Sequence, residues 1–135
     1  MTIVIDSSAI VAIIRLEPDA PTMAKALADA EGRIMSAATY MECAIVLRKK
    51  LGVAGLRALH GLGERMQIAI APWTAEQADA GIEAYIRFGH GSGHPANLNF
   101  GDCFSYALAK TRNLPLLFKG DDFVHTDIEP AVAAG

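Results

Sequence analysis

The chain begins with Met1 and continues Thr2-Ile3-Val4-Ile5-Asp6-Ser7-Ser8-Ala9, in which a β-branched run ends on an acidic residue. Thr2 to Ile5 predicts a short buried strand, because β-branched side chains favour strands. The largely apolar segment from Ser7 to Leu16 predicts a helix that follows the strand directly. A strand leading into a helix is the first half of a βαβ unit, so the stretch predicts a parallel sheet with Asp6 at its carboxyl edge.

The same alternation continues along the chain. Gly61 and Gly63 are expected to interrupt one of the later helices, Thr74 is expected to cap another, and the tail from Ile128 is expected to fray. We predict a three-layer α/β/α domain with a central parallel sheet, and a single domain over residues 1–135. The further strands are predicted at 33–36, 68–71 and 116–118, and the further helices between 21 and 32 and at 37–51, 53–66, 74–88 and 99–113.

The composition excludes two classes of protein. The chain has 135 residues, of which 52% are hydrophobic and 20% charged, so it is not a disordered chain. No apolar run approaches the length of a membrane span, and the N-terminus lacks the basic region of a secretory signal. We therefore expect a cytoplasmic protein. Cys43 and Cys103 are expected to be small buried residues and not a disulfide.

The charge balance disfavours attraction of a nucleic acid by the whole surface, because the formal net charge is −3. Any such contact must use a local patch, and Arg48-Lys49-Lys50 is a basic run close to Glu42. Two interpretations of this run stay open. It is either a solvated helix end, favoured by the helix dipole, or a contact for RNA.

Several acidic residues stand out: Asp6, Glu42, Asp102 and the pair Asp121-Asp122. Each follows an apolar strand or lies in an apolar helix, where burying a carboxylate without a cation would be costly. Simpler explanations exist, since Asp6 could cap its helix and Asp102 could be favoured by a helix dipole. Asp121 and Asp122 could be ordinary turn residues. Glu42 is harder to explain in this way, because its neighbours offer no cation within a turn.

These acids together predict a metal site. Ligands of an open parallel sheet bind outside the carboxyl ends of the strands, where Asp6 and the Asp121-Asp122 turn both emerge. Carboxylate oxygens suit a hard divalent ion such as Mg²⁺, with Mn²⁺ as a substitute. Such a site activates water for hydrolysis of a phosphodiester and needs no protein nucleophile. This route leaves a 5′-phosphate and a 3′-hydroxyl.

Other motifs carry weaker predictions. The segment from Gly89 to Pro95 predicts a mobile loop, because its glycines follow a helix and not a strand, as a dinucleotide site would require. His90 and His94 in this loop have no glutamate between them, which excludes the zinc-protease pattern and leaves contact with phosphate open. Trp73 is expected to lie in the core.

A family resemblance rests on four parts of the chain. One is the stretch from Ile3 to Ala9, and another is Glu42 within its apolar helix. The most specific motif is His94-Pro95-Ala96-x-Leu98-Asn99-Phe100-Gly101-Asp102-Cys103-Phe104-x-Tyr106-Ala107-Leu108-Ala109, and the pattern ends with Leu116-Leu117-Phe118-Lys119-Gly120-Asp121-Asp122-Phe123 and Thr126-Asp127-Ile128. With these motifs the chain resembles the PIN-domain ribonucleases, and most closely the VapC toxins of bacterial type II toxin–antitoxin pairs.

The resemblance implies a fold, an activity and partners. It implies a Mg²⁺-dependent endoribonuclease that acts on RNA such as tRNA or another structured RNA, forms a homodimer and is neutralised by a VapB-like antitoxin. One or two metal ions would be held by Asp6, Glu42, Asp102 and Asp122. The fourth acid of the family pattern stands directly before a phenylalanine, which selects Asp122 and leaves Asp121 as a neighbour of undefined role.

Polar neighbours of these acids also match the family pattern. Ser7 or Ser8 resembles the hydroxyl residue beside the first acid and is expected to orient water or metal. Asn99 is expected to hold the turn that carries Asp102.

Two rival functions remain. A phosphoacceptor domain of the receiver or haloacid dehalogenase type also places an aspartate after its first strand, but Asp6 is not followed by the second aspartate of a D-x-D motif, and Glu42 would have no role. A non-catalytic RNA-binding or scaffold protein of the same fold would have no need to keep all the acids.

Overall fold

The structure, a computed structural model, describes residues 1–132. Its strands are β1 (Thr2–Ile5), β2 (Gly32–Ser36), β3 (Ala69–Ala71) and β4 (Leu116–Leu117), and its helices are α1 (Ser7–Ile14), α2 (Ala20–Asp29), α3 (Ala37–Leu51), α4 (Val53–Arg65), α5 (Ala75–Phe88) and α6 (Phe100–Arg112). The strands form one sheet in the order β3-β2-β1-β4, and every neighbouring pair is parallel. Helices flank this sheet, so the predicted α/β/α class with a central parallel sheet is confirmed.

The central strand β1 explains why both faces of the sheet are covered. Ile3 and Ile5 point into a core cluster that includes residues of α1 to α4, whereas Val4 joins a second cluster with α5 and α6. Val4 and Ile5 are both completely buried. Because alternate side chains of a strand face opposite sides, a strand with three successive apolar residues, Ile3 to Ile5, needs helices on both faces.

The ends of the helices follow local rules that the sequence carries. Thr74 caps α5, as predicted, by accepting a hydrogen bond of 3.1 Å from the backbone nitrogen of Gln77. Ser36 caps α3 in the same way through Ala38. Gly52 ends α3 with a φ of 68°, a conformation that a side chain disfavours. The chain therefore turns sharply from α3 into α4.

Two expectations about local structure, for the glycines of α4 and for Trp73, are wrong, and so is the expectation for the tail, described below. Gly61 and Gly63 do not interrupt α4, because Leu59 and Leu62 on the same helix are buried in the core and outweigh a propensity cost of about 1 kcal/mol per glycine. Trp73 is 37% exposed and packs edge-to-face on Phe104 instead of entering the core.

The tail does not fray at Ile128, which is buried; Leu116 pairs with Pro130 beside it. The expected fraying also concerned residues 133–135, which lie outside the described residues. Cys43 and Cys103 are free and buried, as predicted. Within residues 1–132, no helix has both the length and the apolar character to cross a membrane.

Candidate active site

Asp6 lies directly after β1 and is only 3% exposed. Its Oδ2 accepts hydrogen bonds from the backbone nitrogen of Ser8 at 3.1 Å and from the Ser8 hydroxyl at 2.6 Å. Its Oδ1 accepts a hydrogen bond of 2.5 Å from the hydroxyl of Ser105 on α6. The simpler explanation, that Asp6 caps α1, is therefore correct as a description of one oxygen. The second oxygen is held by a different helix, which fixes the orientation of the whole carboxylate.

Ser105 and Thr39 are polar neighbours of the site that sequence reasoning missed. Both are fully buried, and their hydroxyl oxygens lie 3.2 Å apart. A hydroxyl carries one proton, and that of Ser105 goes to Asp6, so Thr39 donates to Ser105. A spacing signal was present: Ser105 follows Asp102 by one helical turn, and Thr39 precedes Glu42 by one turn. Each missed hydroxyl thus shares a helix face with an acid.

Glu42 lies on α3 with its carboxylate between two other segments. Its Oε1 accepts a hydrogen bond of 3.1 Å from the hydroxyl of Ser7, and its Oε2 faces the backbone of Gly101. Burial, and after it the charge of Asp6, raises the pKa of Glu42, while the Ser7 hydrogen bond acts in the opposite direction. Its apolar neighbours Met41 and Ile45 are exposed, so Glu42 is half-buried at a surface and is not enclosed in the core.

Asp102 is the third residue of α6 and completes a capping box with Asn99. Its Oδ2 accepts from the Asn99 backbone nitrogen at 3.0 Å, and its own backbone nitrogen donates to Asn99 Oδ1 at 2.8 Å. The role predicted for Asn99 is confirmed. Burial, and after it the charges of Asp6, Asp122 and Glu42, raises the pKa of Asp102 to about 7, while the hydrogen bond from the Asn99 backbone acts in the opposite direction. The group is therefore surrounded by negative charge.

Asp122 is exposed and stands just before a short 3₁₀ turn, Phe123–His125. Its charge contributes to the raised pKa of Asp102. The segment that carries it is tied to the first turn of α1, because the backbone nitrogen of Lys119 donates to the Ser8 hydroxyl at 3.0 Å. The ammonium group of Lys119 pairs with Glu17 at 2.6 Å. Lys119, which follows β4, therefore forms its ion pair with Glu17 and not with one of the four predicted acids.

The four predicted acids differ in burial. Asp6 is buried, Glu42 and Asp102 are half-buried, and Asp122 is exposed. Exposure increases from the end of the central strand towards the loop after β4, as expected of a cleft that opens to solvent.

Whether these acids suit a divalent cation follows from their chemistry. Their donors are carboxylate oxygens, which Mg²⁺ and Mn²⁺ prefer. The pKa values of Glu42 and Asp102 are raised by burial and, to a smaller extent, by the charges of the other acids. Among residues 1–132, no group of three or more His, Cys, Asp or Glu side chains is arranged to hold a metal ion as it stands. The donor set fits a hard divalent ion.

The histidines of the glycine-rich loop have local partners. His90 Nδ1 is 2.9 Å from Asn97 Oδ1, and His94 Nδ1 accepts a hydrogen bond of 3.1 Å from the backbone nitrogen of Ala96. The His94 ring also packs edge-to-face on Phe88, with 4.9 Å between the centroids. These contacts give both rings a structural role in the loop; contact with phosphate stays a prediction.

Comparison with known proteins identifies the class to which this fold and site belong. Residues 3–129 match the PIN domain family, so the chain belongs to that family. Within it, the chain belongs to the VapC group. Ribonuclease VapC28 of Mycobacterium tuberculosis is 51% identical over 129 residues, which covers 96% of this chain and 97% of that protein. Ribonuclease VapC of Mycolicibacterium smegmatis is 50% identical over 125 residues, 93% of this chain and 96% of that protein.

The fold has a matching solved structure. The crystal structure of Mycobacterium tuberculosis VapC20, described as a sarcin-ricin loop cleaving toxin, superposes with a TM-score of 0.77 at 16% identity, over 93% of this chain and 95% of that one. At this identity the likeness shows the fold alone. The resemblance inferred from the sequence motifs is confirmed, and the phosphoacceptor alternative is wrong.

Proposed function

We propose that this chain is a metal-dependent endoribonuclease and the toxin of a type II toxin–antitoxin pair. It acts as a single PIN domain over residues 1–135, in the cytoplasm, on RNA such as tRNA or another structured RNA. Membership of the VapC group supports the toxin and ribonuclease assignments. One observation carries the metal site: burial, and after it the charges of Asp6, Asp122 and Glu42, raises the pKa of Asp102 to about 7.

The metal ligands of this proposal are Asp6, Glu42, Asp102 and Asp122. When bound, Mg²⁺ or Mn²⁺ supplies a water of lowered pKa and neutralises charge on the phosphate. The chain's own contribution is to hold its carboxylates in fixed orientations, which reduces the reorganisation needed during the reaction. Ser8 and Ser105 restrain both oxygens of Asp6, and the capping box restrains Asp102.

Glu42 and Asp122 are less tightly hydrogen-bonded than Asp6. Glu42 accepts one side-chain hydrogen bond, from the hydroxyl of Ser7, and its other oxygen lies against the backbone of Gly101. Asp122 is exposed at the start of a short turn. We assign them to the open side of the site, where the RNA phosphate would enter.

The RNA backbone needs positive charge near the carboxylates, and α3 offers it. Lys49 follows Glu42 by seven residues, so the two side chains share a face of α3 about 10 Å apart along its axis. Lys49 and its neighbours Arg48 and Lys50 are exposed in the last turn of the helix. We assign this run to contact with phosphates on one side of the scissile bond.

Two exposed apolar surfaces support binding to protein partners. One is a groove of about 260 Å³ lined by residues that include Tyr40, Leu59 and Ile70. The other, of about 420 Å³, includes Trp73, Ile86 and Phe104. Apolar patches of this kind commonly mark interaction sites. We assign surfaces of this kind to the two proposed partners, a VapB-like antitoxin and a second copy of this chain.

The test uses antitoxin-free protein and a pool of total cellular RNA. We expect cleavage with Mg²⁺, no cleavage with a chelator, and no cleavage by Asp6→Asn or Asp102→Asn. The exposed residue Asp79 on α5 supplies the matched control, Asp79→Asn, which should cleave like the wild type. Mapping of the product ends should give a 5′-phosphate and a 3′-hydroxyl.

Each part of the proposal can fail separately. Cleavage that survives chelation, or that persists in both Asn variants, would contradict the metal site. A 2′,3′-cyclic phosphate would show that the ribose hydroxyl attacks and that activated water does not. Absence of cleavage under every condition would favour the non-catalytic alternative, and light scattering on the same samples would test the homodimer.

A further inference from the structure

We infer that Gly101 is a positioning residue for Glu42: the missing side chain at position 101 leaves the space that the Glu42 carboxylate occupies. This inference rests on the proposed function only in treating Glu42 as a ligand of the site. It goes further by assigning a role to a residue that has no chemistry of its own.

The geometry of this contact is specific. Gly101 is buried in the first turn of α6, directly before Asp102, and α6 packs against α3, which carries Glu42. A Cβ atom added to Gly101 would overlap Oε2 of Glu42 and would lie 2.6 Å from its Cδ. The carboxylate therefore lies against the backbone of α6, one residue away from the next acid of the site.

Backbone conformation does not explain why position 101 is a glycine. Among residues 1–132, the glycines with positive φ are Gly52, Gly91, Gly93 and Gly120, whereas Gly101 is in a regular helix. Alanine has the highest helix propensity and glycine one of the lowest. A glycine at this position therefore needs a reason other than backbone conformation, and the contact with Glu42 supplies one.

The nature of the obstacle decides what an alanine would do. The nearest atoms are the end of a flexible side chain and not the backbone of a neighbouring element. An added methyl group would therefore displace the carboxylate by rotation of Glu42 and leave the packing of α3 and α6 in place. Stability should then not fall, because alanine favours the helix. Activity should fall, because the carboxylate of Glu42 leaves its position.

The experiment compares Gly101→Ala with the same substitution at another helical glycine, Gly63→Ala. Gly63 is in α4, and a Cβ added there would meet nothing within 4 Å. Wild type, Gly101→Ala, Gly63→Ala, Glu42→Ala and the double variant of Gly101 and Glu42 are compared by RNA cleavage. Mn²⁺ binding by calorimetry and the melting temperature in chelator are measured on the same proteins.

We expect Gly101→Ala to reduce cleavage roughly 100-fold, the order of loss caused by misplacing a catalytic group by about 1 Å. Its Mn²⁺ affinity should fall to that of Glu42→Ala. The double variant should be no less active than Glu42→Ala alone, because the group that Gly101 positions is already absent. Gly63→Ala should match the wild type in both assays, and the melting temperature of Gly101→Ala should not fall.

The outcomes separate this inference from the proposed function. Wild-type cleavage and Mn²⁺ affinity in Gly101→Ala would overturn the inference and leave the function intact. An inactive wild type, with Mn²⁺ affinity lowered equally in Gly101→Ala and Glu42→Ala, would support the inference and contradict the nuclease. If Gly101→Ala does not fold, recovery of folding in the double variant supports the clash with Glu42, and failure of both overturns it.

Discussion

Ser105 donates a hydrogen bond of 2.5 Å to Oδ1 of Asp6, although 99 residues separate the two in sequence. This bond joins the end of the central strand to the second turn of α6. Both residues are buried, and Thr39 on α3 donates to Ser105 from the other side. Three elements of the fold thus meet in one chain of hydroxyl groups that ends on a carboxylate, which makes the orientation of Asp6 a property of the whole fold.

Ser105→Ala should weaken the site without removing an acid. Loss of a partner that orients a metal ligand typically lowers metal affinity or activity about 10- to 100-fold. We expect a loss in this range in RNA cleavage and in Mn²⁺ binding by calorimetry. Thr111→Ala on the same helix is the control, since the Thr111 hydroxyl bonds only to backbone carbonyls of α6. Equal effects of the two substitutions would contradict a specific role for Ser105.

The fold could be predicted largely because its signals are local. A β-branched run before a helix, glycine after α3 and threonine before α5 each act within a few residues. The errors arose where distant packing decides. The burial of Leu59 and Leu62 keeps α4 continuous through two glycines, and the pairing of Pro130 with Leu116 holds the tail. Neither effect can be inferred from the local sequence alone, because each depends on packing against residues that are distant in sequence.

The candidate acids could be selected from sequence because each is an exception in its segment. Their environments could not. Asp6 and Asp102 also serve as helix caps, so a structural and a chemical role coincide in one residue. Ser105 and Gly101 are ordinary in sequence, and their roles arise from contacts with Asp6 and Glu42 on other elements. Residues that act through others are visible only after the elements are assembled.

Asp122 and Asp121 can be separated by a matched pair of substitutions. The charge of Asp122 contributes to the raised pKa of Asp102, so Asp122→Asn should lower Mn²⁺ affinity and reduce RNA cleavage at least tenfold, as expected for a ligand. Asp121→Asn changes the same charge at the neighbouring position and should retain most of the activity. The reverse pattern would assign the fourth ligand to Asp121.

The raised pKa of Asp102 predicts an unusual dependence of stability on pH in metal-free protein. The folded state holds the pKa at about 7 against an ordinary value of 3.8. Between these values the folded state binds more protons than the unfolded state, so the free energy of unfolding should decrease as pH rises from about 4 to about 7. Melting temperatures in chelator across this range measure the effect, and Mn²⁺ at pH 7 should restore the lost stability.

Asp102→Asn is the variant that tests the source of this pH dependence. An amide does not titrate and can still accept the hydrogen bond from Asn99. The variant should therefore gain stability relative to the wild type as pH rises towards 7, while Asp79→Asn should follow the wild-type profile. Parallel profiles for Asp102→Asn and wild type would show that the decline arises at other groups.

Lys49 distinguishes the two interpretations of the basic run at the end of α3. If Lys49 contacts a phosphate, Lys49→Gln should raise KM and reduce the slope of log(kcat/KM) against log salt concentration by roughly 0.7, the value for one contact with a single strand. If it only favours the helix dipole, the slope should stay constant and the melting temperature should fall. Lys25→Gln, whose ammonium pairs with Asp29 at 2.6 Å, is the control for loss of a surface charge. Mn²⁺ affinity should be unchanged in both variants, because neither residue supplies a metal ligand.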